Sequence, residues 1–226
     1  MISGETRLVG LLGDRVSQSL SPLVQNAAFA ARGLDWAYVP LPVTSERLED
    51  AVRGLIALGF AGANVTTPHK LAVAKLVETD EESVNTLVVR DDRVVGYSTD
   101  AAILADVDVR RAAIVGDGGA ALAFSAALPD AVHFSRKGIW PPDVSGVDLV
   151  INATSERDDV VVLLGSRQTL VDLPYPETAT ARAAEAAGAR VVDGIEVLVA
   201  QGAASFQIWT GVPAPIDVMR SAVRSA

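Results

Sequence analysis

Signals for strands and helices alternate along nearly the whole chain, and this alternation limits the fold more than any other feature of the sequence. Apolar runs such as Arg7–Gly13 and Ala112–Gly116 predict strands. A helical pattern at Pro22–Arg32 follows the first run, and Ser21 is its predicted cap. The stretch Asn85–Ser98 predicts a hairpin instead. Regular alternation of this kind predicts α/β architecture with parallel sheets, and 226 residues allow one large domain or two small ones.

The composition argues against several classes of protein. With a net charge of -9, the chain lacks the basic surface that nucleic-acid binding requires. It has no cysteine and only two histidines, so no metal site is predicted. The apolar stretch at the start of the chain is too short for a signal peptide or a membrane span. We therefore expect a soluble cytoplasmic protein with no nucleic-acid or membrane partner.

Two predicted strand ends carry side chains that suit proton transfer. The segment Asn64–Lys70 ends with one of only three lysines in the chain, and Ser98–Asp100 ends with an aspartate. Unlike arginine, lysine can release a proton near neutral pH when its surroundings favour the neutral form. The chemical interpretation is a catalytic pair, Lys70 and Asp100. The alternative is a surface lysine and an aspartate that caps a helix, and spacing alone does not separate the two.

A glycine-rich turn after the strand Ala112–Gly116 predicts a nucleotide-binding site. The sequence Gly116–Ala121 would let backbone amides approach a pyrophosphate at the start of a helix. The full Gly-x-Gly-x-x-Gly pattern is absent, so a tight turn without a ligand stays open. The next strand, Ala131–Ser135, leads into Arg136 and Lys137. Two cations at that position suit the 2′-phosphate of NADP, and the alternative is a solvated basic loop.

Several motifs together resemble those of the shikimate dehydrogenase family, in the family's order from about residue 8 to the C-terminus. They are Ser19-Leu20-Ser21-Pro22, Asn64-Val65-Thr66 with Pro68 and Lys70, Val84-Asn85-Thr86-Leu87, Thr99-Asp100, Ile151-Asn152-Ala153-Thr154, and a closing helix with Gln201-Gly202-Ala203. Each motif is short, but their number, order and spacing together are specific. The chain is therefore similar to NADP-dependent shikimate 5-dehydrogenases, as a shortened member.

The resemblance implies a two-domain α/β fold. The predicted boundaries are an N-terminal α/β substrate-binding and catalytic domain at residues 1–103 and a Rossmann-like parallel-sheet NADP-binding domain at residues 104–211. A last helix at residues 212–226 is expected to pack back on the first domain. The resemblance also implies a small-molecule substrate and a monomer or homodimer.

The activity implied by the resemblance is the reversible reduction of 3-dehydroshikimate to shikimate by NADPH, a step in chorismate and aromatic amino acid biosynthesis. Lys70 would stabilise charge on the carbonyl oxygen and, with Asp100, manage its proton. The implied substrate contacts are Ser19, Ser21, Thr66, Asn85, Tyr175 and Gln201. The implied cofactor contacts are Gly116, Gly118, Gly119, Ala120, Ser135, Arg136, Lys137, Asn152, Thr154, Leu173 and Gly194.

Departures from the family pattern concentrate in the cofactor half. The stretch Gly138–Gly146 is too short for the usual helix, and Asp117 places a carboxylate in the glycine-rich turn. Ser98 stands where the family usually has asparagine. Two other functions therefore stay open. One is a sister activity on quinate or an aminoshikimate, and the other is a catalytically degenerate member that binds a shikimate-like ligand.

Overall fold

The structure, a computed structural model, describes residues 2–224 and divides into two units. One unit contains the chain up to Thr99 together with the residues from Val199 onward, and the other runs from Asp100 to Leu198. Each unit contains a five-stranded sheet, so the predicted α/β class is confirmed. The predicted last helix reached residue 226, and residues 225 and 226 lie outside the described residues.

The first unit combines three parallel strands with an antiparallel hairpin. Its strands are β1 (Arg7–Gly13), β2 (Trp36–Pro42), β3 (Gly62–Val65), β4 (Thr86–Arg90) and β5 (Arg93–Tyr97). Its helices are α1 (Ser21–Ala31), α2 (Leu48–Ala57), α3 (Lys70–Val73), α7 (Ile216–Arg224), the later part of α6 (Gly194–Thr210) and a 3₁₀ turn (Ser45–Arg47). The strand order is β2-β1-β3-β4-β5. The predicted hairpin is β4 and β5, and both of its turn residues, Asp91 and Asp92, have positive φ, which matches the twist of a tight hairpin.

The sequence pattern of α2 explains how this unit builds its core. Leu48, Val52 and Leu55 recur at helical spacing, and all three are buried in one apolar cluster with Leu12 of β1. A second contact forms where α1 meets α6, since the rings of Phe29 and Phe206 stack with centroids 5.4 Å apart. The helix α7 also packs against α1. These contacts hold the later part of α6 within the first unit.

The second unit has an all-parallel sheet. Its strands are β6 (Ala112–Val115), β7 (Val132–Phe134), β8 (Leu149–Asn152), β9 (Thr169–Asp172) and β10 (Arg190–Val192), and its helices are α4 (Gly119–Ala127), α5 (Ala179–Ala186), the start of α6 and a 3₁₀ helix (Asp100–Asp106). The order is β10-β9-β8-β6-β7, so β6 has β7 on one side and β8 on the other. The direction in which the sheet grows therefore reverses at β6, which makes a topological switch point there.

The connection between β7 and β8 is short and irregular. Within residues 135–148 of the described chain, no helix forms, in agreement with the length of this stretch. The core of the unit lies between the sheet and α5, where Val115, Val150 and Leu170 pack with Ala181 and Ala184. Among all the described residues, 2–224, no helix is long and apolar enough to cross a membrane.

Candidate active site

The loop between β1 and α1 brings two predicted substrate residues together. Ser19 Oγ donates a hydrogen bond to Ser21 Oγ at 3.2 Å, and the Ser21 N–H donates to Ser19 Oγ at 3.2 Å. Ser21 is the first residue of α1 and is not its cap, because Leu20 already has helical backbone angles (φ -83°, ψ -8°). The cap prediction was therefore wrong. The result is a half-buried pair of adjacent hydroxyls, a group that suits a carboxylate ligand.

Asn85 is the centre of a buried polar network in the first unit. Its Oδ1 accepts from the Thr99 N–H at 2.8 Å and from the hydroxyls of Thr86 and Thr99, each at 3.1 Å. Its Nδ2 donates to Gln201 Oε1 at 3.3 Å. Only 2% of Asn85 is exposed, so these bonds hold its amide in one orientation. The structure thus joins two predicted substrate residues, Asn85 and Gln201.

Ser205 on α6 belongs to the same network, and sequence reasoning missed it. Its Oγ accepts from Asn64 Nδ2 at 2.9 Å, lies 2.8 Å from Thr86 Oγ1, and lies 3.2 Å from Thr99 Oγ1. Ser205 also donates to the Gln201 carbonyl at 3.0 Å and is fully buried. The only signal in the sequence is its position four residues after Gln201, on the same face of a helix.

The turn after β3 positions Lys70 at the start of α3. Two backbone hydrogen bonds hold this turn. The Thr66 N–H donates to Leu12 O at 2.9 Å, and the Val84 N–H donates to the Lys70 carbonyl at 3.1 Å. His69, which is 1% exposed, donates from Nε2 to Val43 O at 2.8 Å. Lys70 itself is half-buried. His69 is a second residue that sequence reasoning missed. It anchors the turn through its bond to the backbone of Val43.

Asp100 begins the 3₁₀ helix of the second unit. It is 4% exposed and directly follows Thr99, whose backbone is bonded to Asn85. Tyr175, another predicted substrate residue, also lies in the second unit and is half-buried. The joint action of Lys70 and Asp100 stays a prediction.

Predicted cofactor residues of the second unit follow the carboxyl ends of three neighbouring parallel strands. Gly116 follows β6, Ser135 follows β7 and Thr154 follows β8. Ligands of open α/β sheets bind at this edge, beside the switch point. Gly116 has a φ of 132°, and a Cβ atom there would lie 2.8 Å from Ala153 O, so the turn requires glycine.

The glycine-rich turn leads directly into α4. Gly118 precedes the helix with an extended backbone, Gly119 is its first residue and Ala120 its second. In this described segment, no side chain caps the helix, which leaves its first N–H groups to backbone or ligand partners. Such a helix start suits a pyrophosphate.

The cations after β7 lie at the surface. Lys137 Nζ is 2.8 Å from Asp117 Oδ2, and the Arg136 guanidinium lies over the Trp140 ring at 5.6 Å. Side chains of this kind, exposed and positively charged beside a helix start, fit the phosphates of a dinucleotide. The residues present therefore fit a dinucleotide. The glycine backbone, the amides of the helix start and the two cations lie at the same edge of one sheet.

Asn152 is buried and forms its side-chain hydrogen bonds with other residues of the protein. Its Nδ2 donates to Asp172 Oδ1 at 2.7 Å, and its Oδ1 accepts from the hydroxyl of Thr154 at 2.8 Å. Leu173 donates its N–H to Asn152 O at 3.0 Å. Gly194, the first residue of α6, approaches the same backbone, since a Cβ atom there would lie 2.8 Å from Leu173 O. Four predicted cofactor residues thus meet at the ends of β8 and β9, and Asn152 positions Thr154.

Comparison with known proteins relates these features to one family. The family model described as "Shikimate dehydrogenase substrate binding domain" matches residues 11–87, and that of the "Shikimate 5'-dehydrogenase C-terminal domain" matches residues 194–224. The shikimate dehydrogenase (NADP(+)) of Anaeromyxobacter dehalogenans is 38% identical, covering 100% of this chain and 98% of the relative. The chain belongs to the shikimate dehydrogenase family.

Solved structures agree with this membership. A crystal structure of shikimate dehydrogenase in complex with NADP+ has a TM-score of 0.89 and 30% identity, covering 100% of this chain and 97% of the other. The Thermus thermophilus enzyme in complex with NADP(H) and shikimate has a TM-score of 0.87 and 26% identity, covering 97% and 99%. The alignment to the Anaeromyxobacter protein spans 274 positions, whereas this chain has 226 residues. This member of the shikimate dehydrogenase family therefore lacks internal segments that the relative has.

Ser205→Ala tests the buried network of this family member. We expect it to lower the free energy of unfolding by about 1–3 kcal/mol, because Thr86 and Asn64 lose a buried partner. Urea unfolding followed by tryptophan fluorescence measures the change. The matched control is Ser125→Ala, because Ser125 also donates to the carbonyl four residues earlier but lies outside the network. Equal effects of the two substitutions would show that the network adds no stability.

Asp172→Asn tests the buried carboxyl beside Asn152. Burial raises the pKa of Asp172 above its ordinary value of 3.8, even though bonds from Thr178 and Asn152 oppose the shift. The native state therefore holds this proton more tightly than the unfolded chain. We expect the stability of the natural protein, relative to the variant, to be highest below pH 3.8 and to fall as the pH rises through the raised native pKa. Urea midpoints across the acid range measure this difference.

Asp143→Asn is the control of opposite sign. The Ser145 N–H, 3.1 Å from Asp143 Oδ1, lowers the pKa of that exposed carboxyl. The stabilisation that Asp143 provides is therefore present above pH 3.8 and is lost as the pH falls through the lowered native pKa. If both variants shifted with pH in the same direction, the assignment for Asp172 would be wrong.

Proposed function

We propose that this chain catalyses the reversible NADPH-dependent reduction of 3-dehydroshikimate to shikimate. The Anaeromyxobacter relative, which is 38% identical over the whole chain, is named shikimate dehydrogenase (NADP(+)). The observation that carries the proposal is the assembly of the Ser19–Ser21 hydroxyl pair and the Asn85–Gln201 amide pair in one unit, which also holds Lys70. A ring acid with several hydroxyls needs polar partners of these types.

Each polar group has a proposed task. The hydroxyls of Ser19 and Ser21 bind the carboxylate, and Thr66, Asn85, Tyr175 and Gln201 bind the ring oxygens. Because its internal bonds hold the Asn85 amide in one orientation, we expect little reorganisation of this residue when the ligand binds. An analogue without a ring hydroxyl would leave such a group unpaired and would bind poorly.

Lys70 is the proposed electrophilic residue. Its ammonium stabilises the negative charge that develops on the substrate carbonyl oxygen, and Lys70 with Asp100 delivers the proton to that oxygen. NADPH, when bound, supplies the hydride. The proposed holders of NADPH are the backbone from Gly116 to Ala120 and the side chains of Ser135, Arg136 and Lys137.

The proposed setting is a cytoplasmic monomer or homodimer that acts on small molecules. The relatives crystallised with NADP(H) and shikimate support the small-molecule ligands. Size-exclusion chromatography with light scattering would separate the two oligomeric states.

Absorbance at 340 nm tests the activity directly. The protein is mixed with shikimate and either NADP+ or NAD+, and the same measurement is repeated with quinate in place of shikimate. We expect rapid formation of NADPH with shikimate and slower reaction with quinate. If folded protein reduces neither cofactor with shikimate, the proposed function is wrong. Faster turnover of quinate would show that this chain has the sister activity on quinate instead.

A further inference from the structure

The carboxylate in the glycine-rich turn points to a cation. Asp117 lies between Gly116 and Gly118, and its Oδ2 is 2.8 Å from Lys137 Nζ. The sequence left the direction of this side chain open, and the structure shows that Asp117 pairs with a residue that follows the neighbouring strand β7. One of the two predicted phosphate-binding cations is therefore already paired with an anion of the same chain.

The pair is exposed and exchangeable. The side chains of Lys137 and Asp117 are 85% and 49% exposed, and ion pairs in such positions contribute little to stability. The hydrogen bond and the charge of Asp117 raise the pKa of the Lys137 ammonium, so lysine stays charged in the pair. Arg136 is held differently, over the Trp140 ring. Lys137 is thus the cation that forms a salt bridge with the carboxylate of the glycine-rich turn.

We propose that Asp117 sets the cofactor preference of this chain by competing with the 2′-phosphate of NADP for Lys137. The inference rests on the proposed function. A cofactor with a 2′-phosphate has to take Lys137 from Asp117, at the cost of that ion pair. A cofactor with a 2′-hydroxyl leaves the ion pair intact. Asp117 therefore weakens the preference for NADP over NAD that Arg136 and Lys137 would otherwise produce.

Calorimetric binding to the full chain, without substrate, tests this role independently of turnover. NADP+ is titrated directly, and NAD+ is measured by competition with NADP+. We expect Asp117→Asn to tighten NADP+ binding by about fivefold and NAD+ binding by less than about twofold. The charge-matched control is Asp130→Asn, an exposed aspartate of the same unit, which should change neither affinity by more than about twofold.

A second background shows whether Asp117 acts through Lys137. In Lys137→Gln protein, the added Asp117→Asn substitution should tighten NADP+ by less than about twofold, since the contested cation is gone. Raising the salt concentration should also reduce the effect of Asp117→Asn, because exposed charges are screened. A fivefold gain that persists in Lys137→Gln protein would overturn the inference.

The remaining outcomes separate this inference from the proposed function. If Asp117→Asn tightens NADP+ and NAD+ equally, Asp117 repels the shared pyrophosphate and does not set preference. If NADP+ binds the natural chain and the substitution changes nothing, the inference fails while the proposed function stands. If neither cofactor binds folded protein, the proposed function fails as well.

Discussion

We expect Lys70→Ala to lower kcat for 3-dehydroshikimate reduction by about 10³-fold and to change KM by less than about tenfold. A positioned acid or charge acts mainly in the transition state, so its removal slows turnover far more than it weakens binding. The position supports this role, since Lys70 is half-buried and its backbone carbonyl is bonded to Val84, next to Asn85. Steady-state kinetics together with calorimetric binding of shikimate separates the two effects.

Two further lysine variants make the test specific. Lys75→Ala removes an exposed lysine from the same segment and should leave kcat unchanged within about twofold. Lys70→Arg keeps the positive charge but cannot release a proton near neutral pH. Recovery of kcat in Lys70→Arg would assign the lysine a purely electrostatic task. Full turnover in Lys70→Ala would remove it from the mechanism.

We expect Gly62→Ala to reduce the free energy of unfolding by about 3 kcal/mol or more, because the added methyl group meets backbone that cannot move aside cheaply. A Cβ atom at Gly62 would overlap the carbonyl oxygen of Leu87 and lie 2.6 Å from Trp209 Nε1. That indole nitrogen donates to Leu87 O at 2.9 Å. The added methyl group therefore pushes β3 away from β4 and disturbs the hydrogen bond that α6 donates to β4.

Gly54→Ala is the matched control, because Gly54 lies within α2 and a Cβ atom there would have no neighbour within 4 Å. Alanine favours a helix, so we expect this variant to gain about 0.5–1 kcal/mol. Urea unfolding followed by tryptophan fluorescence measures both variants. Equal midpoints for Gly62→Ala and the natural protein would show that β3 and β4 have room to move apart.

The fold class was predictable because its signals are local. The spacing of Leu48, Val52 and Leu55 predicts a helix with one apolar face, and that face is buried in the structure. The hairpin at β4 and β5 was visible from alternation alone. Helix starts were harder to predict. Ser21 is a residue type that commonly caps helices, but the backbone of Leu20 is already helical, so the helix begins one residue earlier than predicted.

The candidate site was predictable only where motifs mark it. The pairing of Asn85 with Gln201 joins two predicted residues that are 116 positions apart. Ser205 was missed because nothing in its local sequence records that it lies 2.8 Å from Thr86, which is 119 positions away. His69 was missed for a similar reason, since its partner is the backbone of Val43. The roles of the predicted site residues stay predictions that the kinetic and binding experiments address.

By itself, the sequence determined the order of strands and helices, the two segments after strands that carry Lys70 and Asp100, and the family. Only the tertiary structure decided which distant groups meet: Ser205 in the Asn85 network, and Asp117 against Lys137. The physical reason is the range of the forces involved. Periodicity and turn chemistry act between neighbours in the chain, whereas a hydrogen bond or ion pair between distant residues depends on how the sheets and helices pack.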